Sequence, residues 1–339
     1  MATVRDEKRA EITSDIESAN SPLLQERHIY KPFLYPWCYE AWLTQQRVHW
    51  LPEEVTLQDD IKDYKEKLTE GERTLLDNIF KFFTQADVDV CGGYAKHYLP
   101  TFKQPEVRMM LVSYAAMEAV HQEAYSLLLE TLGKSDDMYQ EFFDIGAMME
   151  KHEYLQDFSM NTPYEMAKTM AVYSAFTEGV QLFSSFAILL NYPRHGLMKG
   201  MGQIVTWSIR DESLHVEGLS KLFRTFIAEN PELWTDKLKY EIYCAAEKTV
   251  ELEDNFIDIC FDKADIPDLT AKEVKEYIRY IADRRLLGIG MKKIFHSTDN
   301  PLPWIDMQVN AVEHTNFFEN RATEYAKSST QGNWQDIFV

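Results

Sequence analysis

Two stretches of the chain place a glutamate and a histidine three residues apart, Glu118 with His121 and Glu212 with His215. On a helix that step puts both side chains on one face, so each pair can offer a carboxylate oxygen and an imidazole nitrogen to the same cation. Two further carboxylates, Asp87 in FTQADVDVCGG and Glu178 in SAFTEGVQLF, stand in otherwise apolar stretches, where an unpartnered charge costs several kcal/mol. With nine histidines in the chain, about one Glu-x-x-His pair is expected by chance. Each residue alone therefore reads as readily as a satisfied core or surface histidine, or a helix-face charge, as it does as a metal ligand. Four carboxylates and two imidazoles on apolar helices are resolved together by one arrangement, a dinuclear metal site. Mixed oxygen and imidazole donors favour iron or manganese over zinc and magnesium. Tyr125, four residues past His121, shares its helix face and is open to oxidation there, although position alone reads it as a core aromatic.

Elements that position such a set must be helices. Apolar periodicity runs through residues 37–49, 57–66, 70–99, 105–132, 136–158, 163–190, 194–228, 232–262, 271–288 and 302–319, and strand-like alternation is scarce. Pro105 and Pro163 suit a first helical turn, Gly133 a helix end, and Pro193 a stop for the helix before it. The expected architecture is all-α, a helical bundle around the metal site with additional flanking helices. Three parts are expected: an N-terminal arm over 1–35, partly disordered and able to drape over the core; a helical domain over 36–320; and a flexible tail over 321–339. The tail ends in Trp334, Ile337, Phe338 and Val339, an apolar end suited to a partner's groove.

Composition excludes several functions. A net charge of −20 over 339 residues argues against a nucleic-acid face. The four cysteines are widely spread with no C-x-x-C pair, which fits a reducing cytoplasm and neither a zinc knuckle nor a disulfide framework. The charged first residues lack a secretory apolar core, and the most apolar stretch, 170–190, holds Glu178 and Gln181 near its middle, so no membrane span is expected. No glycine-rich phosphate loop is present.

MEAVHQEAY (117–125) and WSIRDESLH (207–215) resemble the two ligand motifs of the small, radical-generating subunit of class I ribonucleotide reductase, a ferritin-like family. The resemblance runs from about residue 30 to the end. It implies Asp87, Glu118, His121, Glu178, Glu212 and His215 as metal ligands, with Asp87 preferred over Asp89, and Tyr125 as the stable radical. Trp50 in VHWLPEEV resembles the tryptophan through which the oxidising equivalent leaves, Asp211 the aspartate joining it to the ligating His121, and Tyr325 in NFFENRATEY the tail tyrosine that hands the radical on. Positions that the family usually fills with bulky apolar groups around the radical are here Leu182, Phe186 and Ser208; Ser208 departs from that pattern.

The resemblance implies a homodimer that docks a large catalytic subunit through its tail, a di-iron centre or else a dimanganese or manganese–iron one, and a flavoprotein activator for some members. The large subunit would reduce ribonucleotides to deoxyribonucleotides. Two alternatives keep the ligands without the exit path: a ferritin-like di-iron oxygenase or ligand-binding oxidase, and a non-enzymatic iron-binding bundle.

Overall fold

In a computed structural model the structure describes residues 21–309, apart from 145 and 157. Among these there is no strand. The helices are α1 (Pro36–Arg47), α2 (Gln58–Lys62), α3 (Glu70–Gly93), α4 (Pro105–Thr131), α5 (Gly146–Gln156), α6 (Pro163–Val172), α7 (Phe183–Arg194), α8 (Lys199–Glu229), α9 (Asp236–Lys263) and α10 (Ala271–Gly288). α3 lies on α4; α8 lies on α4, α6 and α7; α9 closes the bundle against α3, α5, α6 and α10; and α1 runs over α4 and α8.

Local chemistry starts these helices where the residues demand it. Thr69 accepts from Glu72 N–H while the Glu72 carboxylate takes Thr69 N–H, a reciprocal cap at the head of α3. Thr270 and Glu273 repeat the device on α10, and Pro105 and Pro163 occupy first turns as their fixed φ requires. α8 has no such cap of its own. Its first amides, Gly200 and Met201, donate to Asp60 (2.9 and 2.8 Å), and Met198 N–H donates to Asp63 (2.9 Å), both from the α2 region. Gly200 is required by this approach, because a Cβ there would lie 2.6 Å from Thr56 O. Near its other end, Glu229 takes Ser21 Oγ–H (2.6 Å) and Leu23 N–H (3.0 Å), which seats residues 21–24 against the long helix.

Several expected helices differ in form. Residues 163–190 are not one helix: α6 passes into a π turn (Tyr173–Thr177), residues 178–182 form a turn, and α7 begins afresh at Phe183. α7 continues to Arg194, one residue beyond the proline expected to stop it, and α8 begins at Lys199 rather than 194. Pro193 forfeits its own N–H bond to the turn before it, yet its fixed φ is helical, and the helix ends one residue later. The 136–158 segment starts as a 3₁₀ stretch (Asp136–Asp144) before α5, and α2 and α3 each end in a π turn, Asp63–Lys67 and Tyr94–Tyr98. Of the helix expected over 302–319, residues 303–309 are helical, Leu302 precedes the helix, and 310–319 lie outside the described residues, as does the tail.

Candidate metal centre

α3 supplies Asp87, α4 supplies Glu118 and His121, the turn after the π step supplies Glu178, and α8 supplies Glu212 and His215. Their donor atoms converge in two overlapping groups, Asp87–Glu118–His121–Glu212 and Glu118–Glu178–Glu212–His215, each with all donors within 4.8 Å of one another. Glu118 and Glu212 belong to both groups and so lie between the two positions. His215 Nδ1 is 2.9 Å from Glu118 and 3.4 Å from Glu178, while His121 Nδ1 is 3.4 Å from Glu212.

All six residues are at most 1% exposed. Close as these atoms are, no oxygen of Asp87, Glu118, Glu178 or Glu212 and neither ring nitrogen of His215 is aligned in a hydrogen bond. Buried carboxylates without donors cost several kcal/mol each. Without a cation, burial and neighbouring carboxylates push Asp87 upward and raise Glu178 to about 7, with His215 opposing the rise at Glu178. Burial would depress both imidazoles, but the surrounding carboxylates overcome it and push both well up. Orphaned oxygen donors with two inward-facing imidazoles fit a pair of hard-to-borderline cations.

Behind His121 the donors are fully matched. His121 Nε2 is 3.2 Å from Asp211 Oδ2, which also accepts from Trp50 Nε1 (2.8 Å), and Gln45 Nε2 donates to Asp211 Oδ1 (3.1 Å). A carboxylate at Nε2 assigns the proton there and leaves Nδ1 free for a metal. Burial alone would raise Asp211; the His121 contact, the Arg210 charge and the Trp50 hydrogen bond outweigh it and hold the carboxyl below its usual range. Trp50 is buried and lies ring-to-ring with Trp207 at 5.1 Å.

Tyr125 is fully buried on α4, its ring stacked on Phe83 (4.5 Å, 8° between planes), which in turn stacks on Phe186 at 5.0 Å. Its hydroxyl donates to Ser208 Oγ (3.2 Å). Burial pushes the phenol far up. Leu182, Phe186 and Ser208 are all buried. Asp89, the alternative to Asp87, points elsewhere and pairs with His152 at 2.6 Å. Tyr325 lies outside the described residues.

Sequence reasoning passed over Gln45, Trp207 and Phe83. Phe83 had a readable signal, since it precedes Asp87 by one helical turn. Gln45 had none, because nothing local marks a glutamine on α1 as 0% exposed.

The pattern of the ribonucleotide reductase small chain matches residues 27–301. The chain is 46% identical over 330 residues to a probable ribonucleoside-diphosphate reductase small subunit of Invertebrate iridescent virus 3, covering 92% of this chain and 88% of that one. In fold it is similar to a putative class I ribonucleotide reductase from Bacillus halodurans (TM-score 0.76, 24% identity, 80% of this chain and 99% of that one). It is similar likewise to the dimanganese(II)-NrdF protein of Streptococcus sanguinis (TM-score 0.74, 22% identity, 84% and 99%). The expected all-α ferritin-like fold and the reductase reading stand; the oxygenase and iron-binding alternatives find no support in these relatives. The chain belongs to the ribonucleotide reductase small-chain family, and the helical bundle with its buried acidic and imidazole donors is that of a ribonucleoside-diphosphate reductase small subunit.

Proposed function

We propose that Asp87, Glu118, His121, Glu178, Glu212 and His215 hold a pair of iron or manganese ions whose role is to oxidise Tyr125 to a tyrosyl radical. The observation that carries this reading is the convergence of six buried donors into two groups with two shared carboxylates, on the helices that also bury Tyr125. A bound redox-active pair supplies one-electron oxidising power. The chain supplies everything else. Phe83, Phe186 and Leu182 keep water from the ring of Tyr125. Because burial holds the phenol protonated, oxidation of Tyr125 would remove its proton together with its electron, and the hydrogen bond to Ser208 Oγ orients the hydroxyl beforehand without taking that proton.

The same reading gives Trp50 and Asp211 the exit. Trp50 Nε1, the Asp211 carboxylate and His121 Nε2 form one unbroken hydrogen-bonded link from the indole to the ligand shell. Tyr325 and the tail over 321–339 would carry the equivalent to the large subunit, where ribonucleotides are reduced; a manganese form would call on a flavoprotein activator. We place the protein in the cytoplasm as a homodimer. No helix among the described residues is long and apolar enough to cross a membrane. Val88 and Val112, 45% and 53% exposed, flank the contact of Cys91 with Ala115 on α3 and α4 and leave an apolar face for a second copy.

Electron paramagnetic resonance tests the central step. Metal-loaded, oxidised protein should show a tyrosyl signal that vanishes in Tyr125→Phe while metal content is retained. A tyrosyl signal that survives the substitution removes Tyr125 from the role.

A further inference from the structure

Glu178 does not sit on a regular helix. Its N–H reaches back five residues to Tyr173 O (3.1 Å), and Gln181 N–H likewise to Phe176 O (3.1 Å). Phe183 N–H, which a continuous helix would aim at Gly179 O, bonds Val180 O instead (3.0 Å). The step 178–182 is buried throughout, so each carbonyl it frees must find another donor or cost about 1–3 kcal/mol.

Two cationic side chains from distant helices supply such donors. Arg285 Nε on α10 donates to Gly179 O (3.0 Å), and Lys151 Nζ on α5 donates to Gln181 O (3.3 Å). Lys151 is 1% exposed and its ammonium lies against the rings of both Phe82 and Phe256, 4.2 and 4.3 Å from their centroids. It pairs with Glu253 of α9, whose other oxygen accepts from Ser184 Oγ in the first turn of α7. A buried ion pair is seldom the cheapest way to stabilise a core, since apolar groups of similar volume often do as well or better. This one spends a donor on the backbone beside a metal-binding carboxylate. Gly179 leaves room for the arrangement: a Cβ there would stand 2.3 Å from Ala175 O and 3.0 Å from Arg285 Nε.

We propose that Arg285 and Lys151 are positioning residues for the metal centre, holding the Gly179 and Gln181 carbonyls so that the unwound step stays open and Glu178 stays aimed at Glu118, Glu212 and His215. Losing these donors favours rewinding into a regular helix. Each residue gained or lost in a helical register turns those around it by about 100°, which swings Glu178 off the metal-facing side. The inference rests on the reading of those residues as a cation site. Its effect is selective, because Asp87, Glu118, His121 and Glu212 do not depend on the step.

Titration of metal-free protein with Mn(II) alone, followed by calorimetry and electron paramagnetic resonance, tests it. Wild-type protein should bind two Mn(II) per chain and show the spectrum of a spin-coupled pair. Arg285→Met should bind the first ion normally and the second roughly tenfold more weakly, with an isolated Mn(II) spectrum at intermediate loading. Lys151→Met combined with Glu253→Gln, which keeps an acceptor for Ser184, should do the same, and Arg285→Lys should restore much of the coupled signal. Variants with wild-type circular dichroism that still take the coupled pair at wild-type affinity overturn the proposal. Should the double variant fail to fold, Arg285→Met decides alone, since Arg285 is partly exposed. Wild-type protein that binds no coupled pair would instead remove the metal-centre reading, and this inference with it.

Discussion

Replacing Asp211 by asparagine isolates what a single buried charge does for the metal centre. The Asp211 carboxylate accepts from Trp50 (2.8 Å) and faces His121 Nε2 (3.2 Å) through one oxygen, and accepts from Gln45 (3.1 Å) and Arg210 (3.3 and 3.4 Å) through the other. Asparagine can keep its single oxygen between Trp50 and His121. Its new amide N–H₂ then faces Gln45, whose own Oε1 has no partner and can rotate in to accept. The Trp50, His121 and Gln45 contacts therefore survive, while the charge and the Arg210 contact do not. Hydrogen bonds to a charged group are worth about 1.5–3 kcal/mol and neutral ones about 0.5–1.5. Two bonds changed in kind lose roughly 2–3 kcal/mol between them. Part of the loss falls on folding and part on the basicity of His121 Nδ1, where removal of such a partner typically costs 10–100-fold in metal affinity. The assay is Mn(II) calorimetry of metal-free Asp211→Asn beside its guanidinium unfolding midpoint. A lower midpoint with metal affinity within twofold of wild type would refute the orienting role of Asp211, leaving it a structural carboxylate only.

Ser208→Ala removes the acceptor of the Tyr125 hydroxyl (3.2 Å) and should cost about 0.5–1.5 kcal/mol of stability. High-field electron paramagnetic resonance of the oxidised variant should show a tyrosyl spectrum shifted toward that of an unbonded phenoxyl, and an unshifted spectrum would mean that the contact is not kept in the radical. Asp60→Ala strips two amides at the head of α8 of their acceptor and should lower stability by about 1–3 kcal/mol in chemical denaturation, with Asp60→Asn losing less. Equal stability of Asp60→Ala and wild type would show that the cap does not hold that helix end.

The residues that do chemistry were legible wherever their relation is internal to one helix. Glu118 with His121 and Glu212 with His215 are three-residue steps, and any helix places them on one face. Which carboxylates are shared was not legible, because that depends on how α4 and α8 face α3 and the Glu178 turn across the bundle. Asp87 and Asp89 are separated by their surroundings: one meets the other ligands, and the other finds His152 on α5. The break at Glu178 was missed for a related reason. MAVYSAFTEGVQLFSSFAILL is apolar with helical spacing throughout, and the groups that hold it open, Lys151 and Arg285, lie on other helices. Gly179 was the one local sign, and a lone glycine in an apolar helix is weak punctuation.

The shared position of Glu118 and Glu212 bears on how the centre fills. Asp87, Glu118, Glu178 and Glu212 together carry four negative charges when ionised, and two divalent cations carry four positive ones, so the sealed interior reaches neutrality only when both ions are present. A single ion leaves two negative charges in a water-poor core, with both central carboxylates already turned toward it and half-formed for the next. The first ion cancels half of the charge that draws the second, so by charge alone the second is held less tightly, and its retention falls to the shared oxygens of Glu118 and Glu212 that the first has already turned inward.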